Sequence, residues 1–192
     1  MAVYSSAERE FLLKTARAVI SASLNAGHHP PENTAKLFPS LKENRGCFVT
    51  LHKTGALRGC IGTIEPVNTL IENVKDNALK AAFSDPRFSP VTDRELPEIE
   101  IEISVLTAPE LLDYIDAEDL LRKLKPGVHG VILSQGWHAA TFLPQVWSQL
   151  PRKESFLSHL CMKAGLPEKA WQDKKTIIKV YEVEYFSEPH NR

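Results

Sequence analysis

The stretch from Ile99 to Leu106 constrains the fold more than any other. Ile99, Ile101, Ile103 and Val105 alternate with Glu98, Glu100, Glu102 and Ser104. Residues two apart share a face of a strand, so this spacing predicts a half-buried strand with one apolar side and a row of carboxylates on the other. One covered and one wet face is the signature of an antiparallel sheet. Two hairpins are predicted to supply neighbours. Cys47–His52 and Leu57–Ile64 flank Lys53-Thr54-Gly55-Ala56, and Val128–Leu133 and Trp137–Phe142 flank Ser134-Gln135-Gly136. Ile177–Phe186 alternates as a last strand, with Val180, Glu182 and Glu184 opposed to Tyr181, Val183 and Tyr185.

Helical signals lie between these strands. Ser5 and Glu8 form a capping box ahead of Leu12, Ala16, Val19 and Ile20, with Gly27 as the stop and a Pro30-Pro31 loop over 28–33. Thr69 and Glu72 form a second box, after which Leu70, Val74, Ala78 and Ala81 or Ala82 face a core. Asp116 caps a short helix to Leu124, Leu143–Trp147 starts a helical turn, and Ser155–Ala164 is amphipathic up to Gly165. Pro86 and Pro90 turn 84–90 into an ordered loop anchored by Phe88. The sum is an α+β chain: a mixed, mainly antiparallel sheet with hairpins flanked by helices, rather than a βαβ winding.

Composition narrows the function classes. The 192 residues carry 23 basic and 24 acidic side chains, for a formal net charge of −1, so there is no global attraction to nucleic acid or anionic lipid. Cys47, Cys60 and Cys161 are odd in number and form no CxxC pair, which indicates neither a disulfide framework nor a zinc knuckle. No signal peptide is read at Met1–Glu10, and no apolar run nears the ~20 residues that span a bilayer. A reduced, cytoplasmic protein is expected.

The chemistry concentrates in Leu57-Arg58-Gly59-Cys60-Ile61-Gly62. Strand alternation puts Arg58, Cys60 and Gly62 on one face, and a neighbouring cation favours a thiolate. Cys60 is the candidate nucleophile; its other reading is a small apolar residue in a buried strand. His52, His129 and His138 are candidate bases, and spacing selects none of them. Arg87, in the rigid Asp85-Pro86-Arg87-Phe88 loop, suits a carboxylate or phosphate, or else bridges structurally to Asp85. Glu98, Glu100 and Glu102 read as a solvated strand face ahead of a metal site. His129 and His138, as partners across the second hairpin, are too few for zinc, and His159 and Cys161 do not share a helix face. No phosphate loop, GxGxxG or HExxH occurs, and the sequence names no cofactor.

Taken in order, Gly46–Leu51, Leu57–Gly62, Ala82–Phe88, Ile101–Leu106, Thr141–Trp147 and Leu160–Pro167 closely resemble the AMMECR domain family, whose prokaryotic members are called AmmeMemoRadiSam system protein A. The resemblance covers Ser5 to Phe186, and Leu-Arg-Gly-Cys-Ile-Gly is highly specific for it. It implies one domain over 5–186 with a main sheet, flanking helices and a smaller lobe, and terminal tails at 1–4 and 187–192. It implies partners, a Memo-like protein and a radical SAM protein, but no established activity. Its signature maps onto Arg58, Gly59, Cys60, Gly62, Asp85, Arg87 and the 141–147 run that includes Gln145. The expected function is an enzyme or enzyme subunit whose cleft, lined by Arg58, Cys60 and Arg87, binds an anionic group, with Gly59, Gly62, Asp85 and Gln145 supporting it. The alternatives are a noncatalytic interaction module of the same system and, third, an RNA-associated regulator.

Overall fold

The computed structural model describes residues 4–24 and 38–189. Gly27 and the 28–33 loop lie outside them. The chain divides into two compact units, 1–106 with 184–192, and 107–183.

In the first unit, α1 (Ser6–Leu24) starts from the expected capping box: Ser5 N–H and Oγ donate to the Glu8 carboxylate, and Glu8 N–H returns a bond to Ser5 Oγ. Strands β1 (Cys47–Lys53) and β2 (Ala56–Thr63) form the first hairpin. Thr54 and Gly55 have φ of 51° and 80°, the left-handed pair that a two-residue turn of matching twist requires. The capping box of Thr69 and Glu72 opens α2 (Leu70–Phe83), whose Leu70, Val74, Ala78, Ala81 and Ala82 are buried. β3 (Ile99–Leu106) buries its isoleucines and Val105 and pairs antiparallel with β1. Glu98 belongs instead to a short 3-10 turn, Leu96–Glu98, so the carboxylates on the strand itself are Glu100 and Glu102.

The second unit holds β4 (Glu110–Leu111), α3 (Ala117–Lys123), β5 (Gly130–Gln135), β6 (His138–Phe142), α4 (Lys153–Lys163) and β7 (Ile177–Tyr181). Its sheet runs β4-β7-β5-β6 and packs Val131, Leu133 and Ile178 against Phe156, Leu157 and Leu160 of α4. Trp147 stacks on Phe156, with centroids 3.6 Å apart and planes at 5°.

One expectation is overturned. Ile177–Phe186 is two strands, not one: β7 joins the second sheet, whereas β8 (Val183–Ser187) joins the first, in the order β2-β1-β3-β8. The break falls at Glu182, whose N–H bonds Thr107 Oγ1 and whose C=O accepts from Thr107 N–H. Alternation carried through the break because side-chain period fixes a face locally and says nothing about which sheet lies beneath it. The flanks are engaged as well: Tyr4 is buried, and Glu188 takes a two-nitrogen grip from Arg17 and the N–H of Ile101.

Candidate functional site

Gly59 and Gly62 set up the β2 edge from opposite sides. A Cβ on Gly59 would lie 2.3 Å from the Ala81 carbonyl oxygen, so its missing side chain lets α2 press its backbone onto the strand. A Cβ on Gly62 would lie 2.2 Å from Phe48 Cδ1, so the phenyl ring covers that glycine. Gly59 therefore serves packing under the sheet, and Cys60 belongs to the opposite face, across from Thr50.

Cys60 is held at three points. Thr50 Oγ1 donates to its Sγ at 3.3 Å. Its backbone N–H donates to Asp85 Oδ2 at 2.9 Å, and its C=O accepts from Arg87 Nη2 at 3.2 Å. Since both backbone groups turn outward to the 84–90 loop, Cys60 and Thr50 form the non-hydrogen-bonded kind of cross-strand pair, which brings side chains closest. The Asp85–Arg87 pair thus occupies, with side-chain atoms, the place where a neighbouring strand would dock on an open edge.

That pair is bidentate. Arg87 Nε and Nη2 meet the Asp85 carboxylate at 2.9 and 2.7 Å, and Arg87 N–H adds a bond at 3.1 Å. Asp85 is 2% exposed at its side chain and Arg87 54%. The guanidinium bonds hold the Asp85 carboxyl far below the usual range against the pull of burial, and the Cys60 and Arg87 N–H groups reinforce them. Arg87 is raised in turn, chiefly by Asp85, with a further contribution from the Cys60 side chain.

Arg58 is the residue left over by a register shift: Leu51 pairs with Gly59 and His52 with Leu57. Such a bulge re-aims a side chain. Arg58 is 12% exposed, holds Glu95 through Nε and Nη2 at 3.3 and 3.2 Å, and has its Cζ 5.8 Å from the Phe88 ring centre. Its Nη1 is buried and finds no hydrogen-bond partner among the described residues. Arg58 brings Glu95 down to about 2, against burial and with help from Thr92 N–H and Lys53. Arg87 Cζ lies 5.5 Å from the same Phe88 ring, so the two guanidiniums share one aromatic.

Arg58, Cys60, Asp85 and Arg87 are therefore one cluster. Gln145 belongs to the second unit, where it is exposed on the 3-10 turn Pro144–Ser148. Three participants were not legible beforehand: Thr50, Glu95 and the ring of Phe88 as a shared platform. None of the three had a readable signal: a turn at Thr54-Gly55 by itself puts Val49 opposite Cys60, and only the bulge at Arg58 brings Thr50 there. His129 and His138 do not pair. His138 faces Gln135 and its Nδ1 meets the Ala164 carbonyl at 3.0 Å, whereas His129 is buried, its Nδ1 accepting from Lys125 N–H. A groove of about 900 Å³ lies at the hairpin end of the first sheet, lined by Arg17, His52, Glu98, Glu100 and Glu188 and not by Cys60. Among the described residues no three His, Cys, Asp or Glu side chains are grouped to hold a metal, and no helix is long and apolar enough to cross a membrane.

The other two cysteines differ from Cys60. Both are fully buried; burial pushes the Cys47 thiol up to about 12, with Asn77 opposing, and raises that of Cys161.

Comparison with known proteins places this geometry in context. A family model described as AMMECR1 matches residues 13–186. A protein of Methanothermobacter thermautotrophicus is 40% identical over 184 residues, covering 94% of either chain. A protein of Methanocaldococcus jannaschii is 40% identical over 192 residues, covering 96% of this chain and 92% of its own. The crystal structure of an uncharacterized protein from Pyrococcus horikoshii superposes with a TM-score of 0.82 at 39% identity, covering 94% of this chain and 91% of that one.

Proposed function

The chain belongs to the AMMECR1 family, and on that premise we propose that it is a cytoplasmic enzyme or enzyme subunit that presents Cys60 to an anionic small molecule or modified group. One observation carries the reading. A buried carboxylate and its arginine engage both backbone groups of a partly buried cysteine, while a threonine hydroxyl points at its sulfur. Such over-determined placement is what a reacting group needs and what an inert filler does not. Arg87, more than half exposed and bonded to the Cys60 carbonyl, is the group that would meet the anion. Memo-like and radical SAM proteins are the proposed co-workers, resting on family resemblance.

Two alkylating reagents of opposite character test this. Iodoacetate carries the carboxylate and iodoacetamide does not. Cys60 is expected to react faster than a free model thiol at neutral pH, and its iodoacetate-to-iodoacetamide rate ratio is expected to exceed that of the model thiol severalfold. A ratio no higher than the model's, with slower reaction, would remove both the thiol and the anion site. A second reading, the noncatalytic interaction module, is favoured by the fact that Arg58 and Arg87 already hold carboxylates. It predicts slow alkylation together with loss of partner co-purification in Arg87→Ala.

A further inference from the structure

The register of the first sheet places three polar side chains in one row. Cys60 of β2 stands opposite Thr50 of β1, and Thr50 stands opposite Glu102 of β3. Directly opposed residues point to the same face of a sheet. Here it is the face turned away from α1 and α2, because Val49, Leu51, Ile101 and Ile103 alternate with the row and are buried against both helices. With strands about 4.8 Å apart, the Cα atoms of Cys60 and Glu102 are separated by roughly 10 Å. Thr50 between them is short, so the thiol and the longer-stemmed carboxylate can address one bound molecule from its two sides.

Charge along this row is unevenly settled. Arg87 holds Asp85 and Arg58 holds Glu95, so each guanidinium near Cys60 is already matched by a carboxylate. Glu102 differs from both carboxylates. It is partly buried, and it forms no hydrogen bond or ion pair among the described residues. Glu100, two residues back on the same face, already has an interaction partner. A carboxylate withdrawn in part from water with nothing donating to it is an acceptor open to a cation. The uncompensated charge in the row that contains Cys60 is therefore negative.

We infer that the molecule bound at Cys60 is a zwitterion of the amino-acid or short-peptide class. Its anionic group meets Arg87 at the outer edge of β2, its ammonium or guanidinium meets Glu102 two strands inward, and the atoms between them lie over the Cys60 sulfur. This rests on the reading of Cys60 and Arg87 given above and adds the cationic half. A ligand with negative groups at both ends is disfavoured, because its second charge would face Glu102.

The test applies three methanethiosulfonates to the full chain and follows the Cys60 peptide by mass spectrometry: the cationic trimethylammonioethyl reagent, the neutral methyl reagent and the anionic sulfonatoethyl reagent. Each rate is divided by that of a free model thiol, which removes the reagents' own differences. Glu102→Gln is expected to lower the cation-to-neutral ratio by roughly three- to tenfold and to raise the anion-to-neutral ratio by a similar factor. Opposite signs separate a lost charge from a change in fold or access, which would move both ratios together. Glu100→Gln is expected to change either ratio by less than about twofold. Unchanged ratios in Glu102→Gln, or shifts of the same sign, would overturn the cationic half, and equal effects from Glu100→Gln would overturn its assignment to Glu102. The two readings fail separately: slow reaction with every reagent counts against the thiol, whereas the ratios report Glu102. No labelling of Cys60 by any of the three would overturn both.

Discussion

Asp85→Asn isolates the contact on which the Cys60 arrangement depends. The carboxylate accepts four hydrogen bonds, from Cys60 N–H, Arg87 N–H, Arg87 Nε and Arg87 Nη2, at 2.9, 3.1, 2.9 and 2.7 Å. An amide keeps one oxygen and puts an NH2 where the other stood, so two of the four donors then face a donor. If the oxygen stays on the Oδ1 side, the Cys60 N–H loses its acceptor, at a cost of about 1–3 kcal/mol for a buried group. The displaced Arg87 is 54% exposed and rehydrates, so its share is small, about 0–1 kcal/mol. The alternative flip spares Cys60 and gives up two bonds to Arg87. The loss is therefore about 2 kcal/mol, which lowers a urea midpoint by about 1 M.

Far-UV circular dichroism is the suitable probe, because it follows both units, whereas Trp137, Trp147 and Trp171 all lie in the 107–183 unit and Asp85 in the other. Amide exchange at Cys60 supplies the local readout. A midpoint within about 0.2 M of the parent, with Cys60 exchange unchanged, would refute the clamp. Acid adds a signed check. The native Asp85 carboxyl sits below its unfolded value, so the unfolded chain takes up the proton first. The stabilisation is complete above the unfolded value near ~4 and is lost as pH falls toward the native one. The advantage of the parent over Asp85→Asn is accordingly flat near neutrality and shrinks below about pH 4.

Gly59→Ala and Gly62→Ala differ in what must yield. The first drives a Cβ into the Ala81 backbone carbonyl and is expected to cost about 3 kcal/mol; the second meets the Phe48 ring from Cγ outward, which only a change of χ1 relieves, and is expected to cost about 2 kcal/mol. Equal losses in urea denaturation would show that α2 shifts as readily as a ring turns. Thr50→Val preserves shape and removes the hydroxyl donated to Cys60 Sγ. Iodoacetamide labelling of Cys60 is expected to slow by roughly two- to fivefold, and an unchanged rate would show that the Thr50 bond does not support the thiolate.

By itself the sequence determined what depends on near neighbours along the chain. Both capping boxes, the Thr54-Gly55 turn and the Ile99–Leu106 alternation read correctly because their causes lie within a few residues: a hydroxyl three positions before a glutamate, a left-handed pair of φ angles, a side-chain period of two. The motif order also carried the family. Tertiary structure alone decided the rest. Arg87 could equally have been an open anion site, and the fold instead ties it to Asp85 and lays both across the edge of a strand 25 residues earlier. Arg58 reads as a free cation, yet a bulge delivers it to Glu95, 37 residues away. The split of 177–186 between two sheets has the same origin. Periodicity assigns each residue a face, but which distant segment meets that face is set by chain closure and packing, and no local pattern encodes it.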